Sequence, residues 1–259
     1  RIYIDITNFC NLQSRFCPIT TRKKEFMSVS NFEVVLYKNK NYTKHIYLHV
    51  KGEPLMHPNL DEILKLANAY DLNVNITTNA RLLKDKIDIL NNNKIRQINI
   101  SLHSFNSVNE IKELLPNVDK LKCYVSLRLW NNKDNTEIYK LLQSYYNKKI
   151  DLSSNRFSLS DRVFLSIEKL FDWPDINNEI ISEYGTCKGG KKQLAILVDG
   201  TVVPCCLDNE GIINLGNIFE SSIQDIINTT RYKELINGFN NNKLNEELCK
   251  KCGYRNKFN

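Results

Sequence analysis

No run of about 18 apolar residues occurs in this chain, so no membrane-spanning helix is expected. No signal-peptide pattern opens it. It begins at Arg1 rather than Met, as expected if a few N-terminal residues have been trimmed. No repeat is visible beyond an alternation of strands and helices. A secreted disulfide framework is also missing: eight cysteines in 259 residues are too sparse for a small stapled scaffold, and they gather where metal ligands would sit. A reducing, cytoplasmic setting is expected. No recognised nucleic-acid module accompanies the formal charge of +7. The basic groups at Arg22-Lys23-Lys24, at Lys188, Lys191 and Lys192, and at Lys250-Lys251 read first as a solvated surface, with an acidic substrate and nucleic acid as rival readings. The last absence is the most informative. The stretch Cys10-Asn11-Leu12-Gln13-Ser14-Arg15-Phe16-Cys17 would read C-x3-C-x2-C with a cysteine at position 14, and it has a serine there.

What is present is ordinary globular chemistry, 42% hydrophobic and 25% charged, at a length that suits one large domain or a domain with an appendage. Short β-branched runs at Ile2–Thr7, Ile46–Lys51, Asn73–Thr78, Gln97–His103, Cys123–Leu129 and Val163–Ile167 read as strands. Most are near-continuous apolar runs, as expected for parallel strands buried on both faces. Ser30-x-x-Glu33, Ser107-x-x-Glu110 and Asn59-x-x-Glu62 read as helix starts. Repeated strand–helix units imply right-handed crossovers, and six of them predict an α/β fold, a partial (β/α)6 TIM-type barrel. Asp151–Ser160 is polar and Phe171–Thr186 has no clear period. Gln193–Val198 and Thr201–Val203 then read as a hairpin with Asp199-Gly200 at its turn. A helix over Ser222–Phe239 follows. The expected division is a barrel over 1–170, and a bridging segment with a small hairpin-and-helix extension over 171–259.

Cys10–Cys17 follows the first strand, and barrel active sites lie on loops at strand carboxyl ends. Three thiolates there would hold three irons of a [4Fe–4S] cluster and leave the fourth open to a small molecule. With that motif in that place, the chain resembles the radical S-adenosylmethionine superfamily. The resemblance implies reductive cleavage of S-adenosylmethionine to a 5′-deoxyadenosyl radical, which abstracts hydrogen from a substrate. It also implies roles along the barrel. Gly52-Glu53-Pro54 matches the motif that contacts the methionine amino group, where a carboxylate can accept from an ammonium. Asn79 closes a turn near the ligand, Ser101 and His103 stand at the ribose position, and Phe16 lies near the adenine. Arg128 could pair the methionine carboxylate through its planar fork. His103 departs from the more common acidic residue. Taken singly, Gly52–Pro54 reads as a turn, Asn79 and Ser101 as caps, and Arg128 as an ordinary ion-pair residue.

Cys187, Cys205, Cys249 and Cys252 form a second set. Its Gly200-x4-Cys205 element and terminal Cys-x2-Cys resemble the SPASM/Twitch extension, which implies auxiliary iron–sulfur binding. The absence of later cysteines favours one auxiliary [4Fe–4S] cluster, as in the shorter Twitch form. Tetrahedral zinc is the alternative, since four cysteines suit it too. Cys206 is left over. It is either a small buried hydrophobe or replacement ligand, or a hydrogen-atom donor to a substrate radical. Cys123 is expected in the core of a strand. The resemblance further implies a peptide or small-molecule substrate and a flavodoxin- or ferredoxin-type electron donor. Membrane and nucleic acid are not expected partners.

Serine is a poor replacement for a thiolate, because its proton is far less acidic and iron in these clusters prefers sulfur. Ser14 is an engineered substitution, a natural lesion in a protein with another task, or a weak ligand. The rival functional readings are accordingly a non-catalytic S-adenosylmethionine-binding or scaffold protein, and a zinc-stapled binding protein. The sequence predicts that Ser14→Cys raises iron content and 5′-deoxyadenosine formation in anaerobically prepared protein. Equal iron and equal nucleoside from both versions would refute the reading of position 14.

Overall fold

A computed structural model describes residues 1–13, 16–131 and 134–258. Six parallel strands follow one another around a barrel: β1 (Ile2–Ile4), β2 (His45–Tyr47), β3 (Asn73–Thr78), β4 (Ile95–Ser101), β5 (Tyr124–Trp130) and β7 (Val163–Glu168). Helices α1 (Val29–Asn39), α2 (Leu60–Ala69), α3 (Leu83–Asn92), α4 (Val108–Asp119) and α5 (Thr136–Tyr146) connect them. This is the expected α/β architecture of a partial TIM-type barrel. Among the described residues no helix is long and apolar enough to cross a membrane.

The strands are not apolar on both faces, as their composition suggested. Ile46, Leu48, Val74, Ile76, Ile98, Ile100, Val125, Leu127, Val163 and Leu165 point outward into one core shared with the helices. Side chains alternate along a strand, so the inner face carries Asn75, Thr77, Gln97, Asn99, Ser126, Arg128 and Ser166. The apolar sandwich is sheet against helix, and the lumen is polar. Hydrogen bonds satisfy much of it: Asn75 Nδ2 donates to Ile46 O at 3.1 Å, Asn99 Nδ2 to Ile76 O at 3.1 Å, and Gln97 Nε2 to Asn99 Oδ1 at 2.6 Å. The Ser126 and Ser166 hydroxyls lie 2.9 Å apart.

Local starts and stops follow side-chain chemistry. Ser107 caps α4, accepting from Glu110 N at 3.2 Å, as expected. Glu110 does not return the bond to Ser107; it accepts from Asn106 N and pairs with Arg81 at 2.7 Å. Helix α1 begins earlier than expected, because Ser28 rather than Ser30 accepts from Asn31 N at 3.1 Å. Asn59 makes no cap bond and instead donates to the Glu62 carboxylate at 2.8 Å. The polar 151–160 stretch contains a further strand, β6 (Arg156–Ser158), antiparallel to β7. Cys123 lies half-buried just ahead of β5 rather than inside it.

The C-terminal hairpin, β8 (Leu194–Ile196) and β9 (Thr201–Val203), turns at Gly200 with φ +85°, and β10 (Gly216–Asn217) pairs with β9. Strand β8 also pairs in parallel with β1, Ile2 opposite Leu194 and Ile4 opposite Ile196. The expected extension is thus continuous with the barrel sheet, because β1 offers it a free hydrogen-bonding edge. The single helix expected over Ser222–Phe239 is two, α6 (Ile223–Asn228) and α7 (Thr230–Asn240). Thr229 leaves helical geometry at ψ 150° and caps α7, accepting from Tyr232 N at 3.3 Å. Helix α8 (Glu247–Lys250) carries Cys249.

The turn after β3 holds Ala80 at φ +61°, a left-handed conformation that penalises a Cβ. Ala80→Gly should therefore stabilise the fold by about 1 kcal/mol, measured as a higher urea midpoint with an unchanged slope. A lower midpoint would count against a strained turn.

Candidate active site

The loop that carries Cys10 and Cys17 leaves β1 and returns to Phe26. Side chains help tie its stem: Thr7 Oγ1 donates to Glu25 O at 3.0 Å, Asn8 Nδ2 to Lys23 O at 2.8 Å, and Glu25 N to Asn8 Oδ1 at 2.7 Å. Cys10 and Cys17 are both exposed. Partial burial, then the Glu53 and Cys17 charges, raise the Cys10 pKa. The loop therefore offers two thiols at a solvent-accessible edge. The third position, Ser14, lies outside the described residues.

Gly52 and Glu53 seat this loop. A Cβ on Gly52 would fall 2.1 Å from Thr7 O and 2.5 Å from Phe9 O, so no other residue fits. Glu53 N donates to Phe9 O at 2.7 Å. The Glu53 carboxylate is 2% exposed, and it accepts from Leu55 N at 3.0 Å, Thr78 Oγ1 at 2.7 Å and Asn79 N at 2.7 Å. Burial raises its pKa, and these donors oppose the shift. A carboxylate has about four acceptor positions, so capacity for one further donor is left. Pro54 opens a short 3-10 turn directly after it. Asn79 donates from Nδ2 to Asn11 Oδ1 at 2.8 Å and toward Cys10 Sγ at 3.8 Å. Glu53, Asn79 and Cys10 are thus brought together.

Ser101 ends β4 directly opposite Arg128 of β5. The Arg128 guanidinium lies inside the barrel, where desolvation lowers its pKa. Among the described residues no carboxylate is within ion-pair distance of it. The nearest acid it senses, Glu168, is paired with Lys257 at 2.9 Å. Across the lumen stand Tyr3 and Tyr47, stacked at 4.7 Å, with His49 edge-on to Tyr3 at 5.4 Å. Burial, then the Arg128 charge, push the His49 pKa down to about 3, so its ring is neutral. Cys206 packs on this group, and burial pushes its thiol pKa up to about 11.

An aromatic cluster, not anticipated from sequence, roofs the lumen. The Phe16 ring lies 4.8 Å from Trp130, 5.4 Å from Phe171, 5.8 Å from Trp173 and 6.1 Å from His103. Phe171 and Trp173 come from the bridging segment, whose want of periodicity hid their role. The indole N–H groups of Trp130 and Trp173 are both buried without an acceptor among the described residues.

The four C-terminal cysteines form a second group. Cys187 Sγ and Cys205 Cβ each lie 3.6 Å from the position a Cβ on Gly189 would take. Cys249 packs beside Cys187 on Leu235, Phe239 and Leu244. Burial, then the neighbouring thiols, hold Cys205 and Cys249 well above the ordinary thiol pKa. Thiols this close ionise together only around a cation. In a four-iron cluster each thiolate would sit on a separate iron. Cys249 feels both Cys187 and Cys252, and Cys252 feels Cys187, so the four thiols are neighbours, and a donor set of four thiolates suits such a cluster.

Residues 4–122 match the Radical SAM superfamily, and residues 187–253 match SPASM, an iron–sulfur cluster-binding domain. The second match answers the zinc alternative. A GTP 3′,8-cyclase from Sulfurimonas denitrificans is 22% identical over 85% of this chain and 84% of its own length. Among solved structures, BtrN in complex with AdoMet and 2-DOIA superposes with a TM-score of 0.66 at 18% identity, covering 97% of this chain and 91% of that one. Native anSMEcpe with AdoMet and the Cp18Cys peptide gives 0.67 at 14%, covering 98% and 88%. Streptococcus suis SuiB bound to its precursor peptide SuiA gives 0.64 at 18%, covering 97% and 69%.

Proposed function

We propose that this chain, a radical S-adenosylmethionine superfamily protein with a C-terminal SPASM domain, binds S-adenosylmethionine at the roof of its lumen and acts on a peptide held below. Superfamily members are enzymes with [4Fe–4S] clusters. When bound, the first cluster and S-adenosylmethionine supply a 5′-deoxyadenosyl radical, the hard chemistry that the protein itself cannot provide. Cys10 and Cys17, with Ser14 at the position of a third cysteine, would hold the first cluster. Cys187, Cys205, Cys249 and Cys252 would hold one auxiliary cluster in the Twitch manner. The division falls between 1–170 and 171–259.

The observation that carries the reading is Arg128. Arg128 is half-buried on the inner face of the barrel, a partly desolvated guanidinium is costly unless it is paired, and no carboxylate of the described chain pairs with it. A methionine carboxylate supplies that partner, with the Ser101 hydroxyl opposite. The remaining acceptor capacity of Glu53 suits the ammonium, and Asn79 orients the loop around it. Phe16, beside His103, offers a face to the adenine. The aromatic roof excludes water from the lumen.

A peptide is favoured as substrate because SuiB and anSMEcpe were crystallised with peptides; BtrN and the cyclase keep a small molecule as the second choice. Cys206, packed beside Tyr3, would deliver a hydrogen atom from its thiol to a substrate radical. An electron from a flavodoxin- or ferredoxin-type donor and a proton from water then restore the thiol. The setting is cytoplasmic. Ser14 leaves the first cluster short of a thiolate and impairs turnover, which favours a second reading, a non-catalytic S-adenosylmethionine-binding protein. The iron content of anaerobically prepared chain separates the two: about four irons means the auxiliary site alone, and about eight means both.

Both tryptophans of the chain lie in the roof, so their emission reports on it. S-adenosylmethionine should change that emission. Arg128→Met should weaken the binding by about tenfold or more, the value of a charge-assisted hydrogen bond, with Arg128→Lys intermediate. Undiminished affinity in Arg128→Met would remove the role given to Arg128. Cys206→Ala should alter product stereochemistry or stall turnover at unchanged iron content, and an unchanged product would dismiss it as the donor.

A further inference from the structure

The return limb of the cysteine loop is held from an unexpected side. Its stem, at Thr7, Asn8 and Glu25, is tied by the barrel itself. Beyond the stem, residues 18–22 take contacts from the C-terminal segment as well as from the barrel. Lys51, next to Gly52, donates from Nζ to Pro18 O, one residue past Cys17. The Glu210 carboxylate accepts from both Thr21 N at 3.0 Å and Thr21 Oγ1 at 2.8 Å through a single oxygen. Its other oxygen is held by Asn209 Nδ2 at 2.8 Å. Arg22 pairs with Asp199 at 2.6 Å, with its side chain only 16% exposed. Gly211, at φ +74°, lies against that guanidinium, and a Cβ there would sit 3.1 Å from Arg22 Nη1.

Asp199 and Glu210 belong to one short piece of chain. Asp199 is in the β8–β9 turn, and Glu210 follows Cys205 by five residues. Between them the path is tightly fixed. Pro204 O accepts from Gly190 N at 2.8 Å, and the Asp208 carboxylate accepts from Ile212 N at 2.9 Å and Ile213 N at 2.8 Å. The segment that carries an auxiliary-site cysteine is therefore a stiff arm, and its two acids grip the limb that leaves Cys17.

We propose that Glu210, reaching across from the C-terminal segment, is a positioning residue for the Cys10–Cys17 loop. It fixes Thr21, and with Lys51 on Pro18 it sets where Cys17 and Phe16 lie relative to Glu53 and Asn79. Cofactor binding at the first site then depends on a C-terminal residue that touches neither cofactor nor substrate. The importance of the loop rests on the function proposed above; the latch itself does not.

Amide hydrogen exchange on the whole purified chain tests the latch without turnover. Glu210→Ala should speed exchange at Thr21 and neighbouring loop amides by about tenfold, the value of a hydrogen bond to a charged group, while β3, β4 and β5 keep their protection. Glu210→Gln retains an acceptor and should stay near the parent. Unchanged loop exchange in Glu210→Ala would overturn the latch, and so would Glu210→Gln behaving like Glu210→Ala. Tryptophan emission then measures S-adenosylmethionine affinity, which should fall several-fold in Glu210→Ala and recover in Glu210→Gln; a loosened loop with unchanged affinity would overturn the positioning role. If the parent chain binds no S-adenosylmethionine while the exchange result holds, the latch stands and the proposed function falls.

Discussion

One buried carboxylate holds the upper end of the barrel together. Glu53 collects donors from its own turn and from the end of β3, and its backbone N–H ties back to Phe9. Gly52 allows that approach, because its backbone lies where any side chain would strike Thr7 O. An unpaired charge here would be expelled or protonated; three donors keep it. The ends of the first three strands are therefore joined at one point, and Cys10, Asn11 and Asn79 take their places around it. Loosening that point would move the cysteine loop and the turn after β3 together.

Below this knot the barrel divides its chemistry by face. Aliphatic side chains pack outward against helices, where burial is worth roughly 25 cal/mol per Å². The inner face carries amides and hydroxyls, and polar groups taken from water must be paired to be tolerated. Asn75, Asn99 and Gln97 are paired among themselves and with strand carbonyls. Arg128 stands apart as a cation without a counter-ion among the described residues. The lumen thus presents a guanidinium with no carboxylate paired to it among the described residues, beside indole N–H groups that also lack acceptors there.

Much of the frame was legible in sequence. Each of the six barrel strands falls on an expected run, Ser107 caps its helix, and Asp199-Gly200 turns its hairpin, because capping and turn chemistry act over three or four residues. Several features were not legible because they depend on distant partners. The inner face of β3 and β4 looked like part of an apolar run until the pleat separated Asn75 and Asn99 from Val74 and Ile76. The break at Thr229 turns on a threonine hydroxyl that serves two helices, a choice invisible in an amphipathic pattern. Phe171 and Trp173 sit in a stretch without periodicity and gain meaning only when folded onto Phe16. Glu53, Asn79 and Cys10 were readable as a set only because their order along the strands matched a known pattern; their hydrogen bonds were not.

The pairing of β8 with β1 has a consequence for modularity. An open barrel has two bare edges, and exposed strand edges invite association between chains. Here β8 covers the β1 edge, and the new rim ends in β10, only two residues long. At the far rim β6 is three residues long and carries an arginine. The C-terminal segment is therefore also a selvedge that finishes the weave of the barrel. A chain trimmed to the barrel alone would be a raw-edged cloth, its β1 hem open to any strand that came past.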